Sequence, residues 1–344
     1  MSRRGKSSDK QIALWLMGCC ILIGMMVVVG GVTRLTHSGL SMTEWQPLIG
    51  AIPPLSESQW DEIFRAYQKT PEYLEINSGM ALAEFKGIFW WEYVHRLLGR
   101  GIGAAFLLPF LYFVVRRRIG MPLAARFAGI FLLGALQGGL GWYMVKSGLV
   151  SDPHVSQYRL TAHLGLAFLI YGAIFRAALG LLSPMSPRAG SPVHRLGSPA
   201  AALAGLIFVM VLSGGLVAGT RAGFVFGTFP LMAGHWVPPG LFVLDPWFIN
   251  FFENITTVQF DHRLIACLLA LLIPFFWLRT RRMHLPARAR LCCGLLLGML
   301  FVQISLGICT LLLGVPVTLA AAHQAGALLL FTAALLTHHE VRNL

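Results

Sequence analysis

The sequence predicts an all-α integral membrane protein, and three observations carry that prediction. Of 344 residues, 56% are hydrophobic and only 12% charged, with a mean hydropathy of +0.69. A soluble domain carries about 25% charge, so this chain cannot clothe a water-facing surface of its size. A soluble enzyme, a disordered chain and a fibrous protein are excluded. Apolar runs recur at close to the roughly 20 residues a helix needs to cross a bilayer, and basic residues gather between alternate runs.

Eight spans are expected, at residues 11–33, 87–115, 123–146, 159–182, 199–219, 255–278, 291–313 and 317–337. Placing both termini on one side puts 17 Lys/Arg and 2 acids (Asp9 and Glu340) there, and 10 Lys/Arg with 12 acids opposite. Cytoplasmic loops accumulate Lys and Arg, here as Arg3, Arg4 and Lys6, Arg116 to Arg118, and residues 279–290. Both termini are therefore expected in the cytoplasm. The net charge of +13 reflects topology, and no nucleic-acid partner is expected. The first residues run directly into a full-length span, which reads as a retained helix, not a cleaved leader.

Between the spans, three segments stand out. In the first outer loop (residues 34–86), Ser56 to Lys69 places Trp60, Ile63, Phe64 and Tyr67 at helical spacing. Ser56 and Gln59 fit a capping box, Pro71 is expected to stop the helix, and the apolar stripe suits packing on the membrane helices. The second outer loop (residues 220–254) carries Phe224, Phe226, Phe229, Trp236 and Trp247. It reads equally as a lid over a bulky apolar ligand or as an interfacial belt. Residues 183–198 (SPMSPRAGSPVHRLGS) have linker composition and divide the chain into an N-terminal half, 1–182, and a C-terminal half, 199–344. The six cysteines all fall within spans without CxxC spacing, so free thiols are expected in place of disulfides or a zinc site.

The halves repeat each other. Gly30–Gly31 matches Gly214–Gly215, and Glu92-Tyr-Val-His95-Arg96 matches Gln259-Phe-Asp-His262-Arg263. Gln137-x-x-Leu-Gly141 matches Gln303-x-x-Leu-Gly307, and Ala162–His163 matches Ala322–His323. An even number of spans per half keeps both copies in one orientation. The expectation is two four-helix bundles, a parallel repeat about a pseudo-twofold axis along the membrane normal.

Four of the eleven histidines, His95, His163, His262 and His323, lie inside spans at these matched positions. At about 1.5 Å rise per residue, His95 and His262 sit roughly 10–12 Å in from the outer ends and His163 and His323 roughly 6–9 Å. Ionisable residues inside a membrane tend to face a functional interior. Two imidazoles facing each other across a bundle provide the axial nitrogens of a six-coordinate haem iron and an apolar slot for its macrocycle. The blander reading is four histidines bonded to neighbouring helices. Arg96 and Arg263 suit a porphyrin propionate or are snorkelling interfacial arginines. Glu92 stands one turn before His95, where the other half has Gln259. A carboxylate there can exchange protons; it can equally be a structural ion pair with Arg96 or Lys86.

These residues carry a family resemblance. Lys86-Gly-Ile-Phe-Trp-Trp-Glu-Tyr-Val-His-Arg-Leu-Leu-Gly-Arg100 and Gly39-Leu-Ser-Met-Thr-Glu-Trp45 resemble the haem A synthases. So do Gly214-Gly-Leu-Val-Ala-Gly-Thr220, Thr228-Phe-Pro-Leu-Met232, Gln259-Phe-Asp-His-Arg263 and Ala320-Ala-Ala-His-Gln-Ala-Gly326. The likeness runs from about residue 12 to 339. Without cysteine pairs in the outer loops, it is similar to the proteobacterial and mitochondrial branch. The resemblance implies oxidation of the C8 methyl of haem O to a formyl group, giving haem A for cytochrome oxidase. It implies haem b on His262 and His323, the substrate haem on His95 and His163, and a functionally important Glu92. The implied partners are haem O, haem O synthase, oxidase assembly proteins and membrane lipid; self-association is left open. The expected location is a bacterial inner membrane with the haem sites toward its outer face. Two alternatives are a dihaem b-type quinol electron carrier, using the same histidines, and a transporter built on parallel repeats.

Overall fold

The computed structural model describes residues 3–44, 49–148, 155–183 and 196–343. Among these the chain is helical, without strands; a lone bridge pairs Met232 with His235. The helices are α1 (Arg3–Leu35), α2 (Glu57–Tyr67), α3 (Pro71–Glu75), α4 (Leu82–Val115), α5 (Met121–Gly148), α6 (Gln157–Leu182), α7 (Gly197–Gly219), α8 (Asn250–Glu253), α9 (Ile255–Arg281), α10 (Ala287–Leu312) and α11 (Val317–Arg342). Eight of them, all but α2, α3 and α8, are long and apolar enough to span a membrane. They coincide with the eight expected spans, ends differing by a few residues. Residues 184–195 of the expected linker lie outside the described residues.

The chain forms two compact units, residues 21–163 and residues 1–20 with 164–344. In the second, α7 touches α9 and α11, and α10 touches the same two, so the four close into a bundle. The rest of α6 packs on it: Phe168 meets Phe331, and Tyr171 Oη and Thr332 Oγ1 lie 2.7 Å apart. On the spans, large apolar side chains such as Leu132, Leu271 and Phe275 are exposed. In lipid this is the stable arrangement, because backbone polar groups are satisfied within each helix. All six cysteines are free, four buried, with Cys267 and Cys309 facing outward.

In the first unit the amphipathic stretch folds as α2, begun by the expected capping box: Ser56 Oγ accepts from Gln59 N–H and Gln59 Oε1 accepts from Ser56 N–H. Its stripe packs on α4, where Trp60 and Tyr67 are buried against Phe85, Phe89 and Tyr93. Pro71 does not terminate α2, which ends at Tyr67. It opens α3 at the first helical position behind the Thr70 cap. There the missing N–H costs nothing and the fixed φ is helical. The second outer loop is braced by Asn250 and Asn254. Asn250 Nδ2 donates to the carbonyls of Leu244 and Trp247, and Asn254 Nδ2 to those of Gly240 and Leu241. Asn254 also caps α9, accepting from Thr256 N–H. Trp236 and Trp247 on this braced loop stay exposed.

Candidate functional site

The histidine helices each lean on the membrane-spanning helix that precedes them within their half, and the contact is made through a glycine. A methyl group on Gly30 of α1 would sit 3.2 Å from His95 Nε2, and one on Gly141 of α5 3.0 Å from His163 Cε1. The C-terminal half repeats this: Gly214 of α7 meets His262 Cε1 at 3.3 Å and Gly307 of α10 meets His323 Cε1 at 2.9 Å. These separations are tighter than ordinary side-chain contact, so any larger residue would displace the ring. The paired glycines seen in the repeat therefore make room for the imidazoles. Gln137 Nε2 donates to the His163 carbonyl at 3.0 Å, and Gln303 Nε2 to the His323 carbonyl at 3.0 Å. Each bond fixes the register of a glycine helix against its histidine helix.

All four imidazoles are half-buried. Within each half the two are close enough to act on one another electrostatically, His163 on His95 and His323 on His262. Nδ1 of His163 and of His323 is buried without a hydrogen-bond partner, a costly condition for a polar atom. His262 is different. Ser213 Oγ lies 2.8 Å from its Nδ1 and donates its own proton to the Met210 carbonyl at 2.9 Å. With that proton on Met210 the hydroxyl accepts from Nδ1–H, and Nε2 is the lone-pair nitrogen.

Glu92 and Arg96 are brought together. Arg96 Nη2 and Nε reach Glu92 Oε1 at 2.6 and 3.0 Å. Ser41 Oγ–H and Met42 N–H donate to Oε2 at 2.7 and 2.8 Å. Arg96 also donates to the carbonyls of Met42 and Glu44, so the pair clamps the first outer loop to α4. Lys86 is elsewhere, paired with Glu57. Gln259 and Arg263 clamp the second loop in the same place: both donate to the Phe226 carbonyl, and Arg263 to those of Pro230 and Leu231. The Glu/Gln difference follows the polarity of the loop. The first loop offers O–H and N–H donors, which call for a carboxylate; the second offers a carbonyl, which calls for an amide N–H.

Three contributors carried no warning in the sequence. Ser41 sits inside a quoted motif and Ser213 directly before one, but nothing in a serine announces its partner. Glu72 of α3 is 3% exposed, with Oε2 buried and unpartnered. Burial, with the charge of Glu92 added, pushes its carboxyl up to about 8.

A polytopic helical membrane protein with two matched histidine pairs, each set in a glycine cleft, is the class that fold and site define. The family comparison is specific: residues 13–335 match the COX15-CtaA model, described as cytochrome oxidase assembly protein, and the chain belongs to that family. It is 64% identical over 335 residues to a protein named haem A synthase from Nitrosospira multiformis, covering 97% of this chain and 94% of that one. A haem A synthase from Nitrosomonas eutropha is 60% identical, over 94% and 92% of the two chains. The Arabidopsis thaliana protein named haem A synthase COX15 is 44% identical, over 98% of this chain and 76% of its own.

Proposed function

We propose that this chain is a haem A synthase, oxidising the C8 methyl of haem O to a formyl group and so supplying haem A to cytochrome oxidase. The observation that carries the reading is one construction made four times, an imidazole seated in a glycine cleft at matched points of both halves. The names of the relatives supply the reaction.

In this reading His262 and His323 hold haem b, and His95 and His163 hold the substrate haem. The residues fit such ligands: two imidazoles in each half, each set against a glycine, two of them with an orphaned ring nitrogen. Haem b, when bound, supplies one-electron transfer. Glu92 stands one turn from His95, paired with Arg96, and ties down residues 41–42. Arg263 keeps Nε buried and unpartnered, a donor suited to a propionate, whereas Arg96 is committed to Glu92 and the loop carbonyls. The two halves are two bundles of a parallel repeat, an arrangement supported by the matched contacts. The protein sits in the cytoplasmic membrane with both termini inside and the haem sites near the outer face. Haem O synthase and oxidase assembly proteins are its working partners, and self-association is compatible with this reading.

Purified full-length protein supplied with haem O, followed by acid extraction of its haems, tests the proposal. Haem A together with haem b is expected. Haem b alone would favour a dihaem electron carrier, and a colourless protein would remove both readings. Replacing His262 or His323 by Ala removes an axial nitrogen, so the low-spin b-haem spectrum is expected to vanish or change spin state. An unaltered spectrum in both variants overturns the assignment.

A further inference from the structure

The repeat is broken at one position that touches a histidine. Gly30 and Gly214 occupy equivalent places, each against the first imidazole of its half. The residue before Gly214 is Ser213, bonded to His262 Nδ1 at 2.8 Å. The residue before Gly30 is Val29, which has no hydroxyl to offer His95. From this we infer that Ser213 is a positioning residue that marks the C-terminal half as the site of permanent haem retention, and that Val29 leaves the N-terminal half free to exchange its haem. The inference rests on the proposal that His262 is an axial ligand.

The physical argument starts from the hydroxyl's one proton. Assigned to the Met210 carbonyl at 2.9 Å, it leaves Ser213 Oγ to accept from Nδ1–H. That selects the tautomer whose Nε2 lone pair is available to iron, and it fixes the ring plane about its Cβ–Cγ bond. A ligand imidazole ordered in this way loses less freedom on binding and is a stronger donor, because its N–H is hydrogen-bonded. A resident cofactor needs both properties. A substrate haem must enter and its product must leave, so a first imidazole with no serine hydroxyl beside it suits that half. Hydrophobic Val29 preserves the glycine cleft without adding the bond.

The test uses full-length protein carrying haem b, with Ser213→Ala, Ser213→Thr, Val29→Ser and His262→Ala. Haem b release is followed as transfer to apomyoglobin, and the midpoint potential is measured in parallel. Loss of a bond to a ligating histidine costs about 10- to 100-fold in affinity, so Ser213→Ala is expected to release haem b faster by that order. Its potential should rise, because the imidazole becomes a weaker donor. Ser213→Thr restores the hydroxyl and should behave as the parent, and Val29→Ser should slow release of the haem on the N-terminal pair. If Ser213→Ala matches the parent in both rate and potential while His262→Ala loses haem b, the inference fails and the ligand assignment stands. If His262→Ala keeps the parent spectrum, the assignment itself fails.

Discussion

At the residue scale, the Glu92/Gln259 difference is where sequence and structure give different weight to the same letters. From sequence, the pair looks like a titratable group set against its neutral isostere. The structure adds that each side chain matches what its loop presents, Ser41 O–H and Met42 N–H at Glu92 and the Phe226 carbonyl at Gln259. Gln259 is therefore no guide to how Gln would behave at 92. The amide oxygen of a Glu92→Gln variant can serve Arg96 or the loop, and its NH₂ then faces donors on the other side. Insertion and haem binding are expected to survive, with formyl production falling by about 10²–10⁴-fold. Extracted haem reads the outcome: an accumulated alcohol places Glu92 late in the oxidation, unreacted haem O places it first. Near-normal haem A would reduce Glu92 to a clamp. A candidate site was legible in the letters, because intramembrane histidines and an acid are conspicuous. They did not disclose the clamp, because the polarity a loop backbone turns toward a side chain is not written in residue types.

At the scale of single helices, glycine placement makes the sharpest prediction. Ala at Gly307 would put a methyl 2.9 Å from His323, whereas Gly18 on α1 has nothing within 4 Å. Gly307→Ala is expected to displace the ring and lose the b-haem spectrum. Gly18→Ala should retain it and, as a helix-interior replacement, gain up to about 1 kcal/mol, measurable as a higher unfolding midpoint. The outer cap, α2 and α3, predicts a pH dependence. Glu72 is raised from an ordinary 4.5 to about 8 in the folded protein. The folded state then holds this proton more tightly than the unfolded one, so the group's contribution to stability falls as pH rises from about 4.5 to about 8 and is constant above. Hydrogen exchange in residues 57–80, corrected for intrinsic rate, should show the cap loosening over that window in the parent and not in Glu72→Gln. Identical profiles would remove Glu72 from the account. The capping box of α2 was legible because Ser56 and Gln59 carry it themselves. The role of Pro71 was not, since proline punctuates a chain without saying whether it ends one helix or begins the next.

Across the whole molecule, the eight spans were legible to within a few residues because the bilayer responds to the same quantity that the sequence displays, apolar length. The division into compact units at residues 21–163 and the remainder was not, because packing between apolar faces leaves little trace in composition. The charge asymmetry makes a topological prediction: reporters fused at either end should be active only when they function in the cytoplasm, and a periplasm-dependent reporter should be silent at both. A periplasmic signal at either terminus would invert the orientation and carry the haem sites with it. The glycine clefts also bear on how such a chain is made. Gly30 precedes His95, Gly141 precedes His163, Gly214 precedes His262 and Gly307 precedes His323. During synthesis, which proceeds from the N-terminus, every receiving glycine is made before the imidazole it shelters. The order of translation is in this respect also an order of assembly.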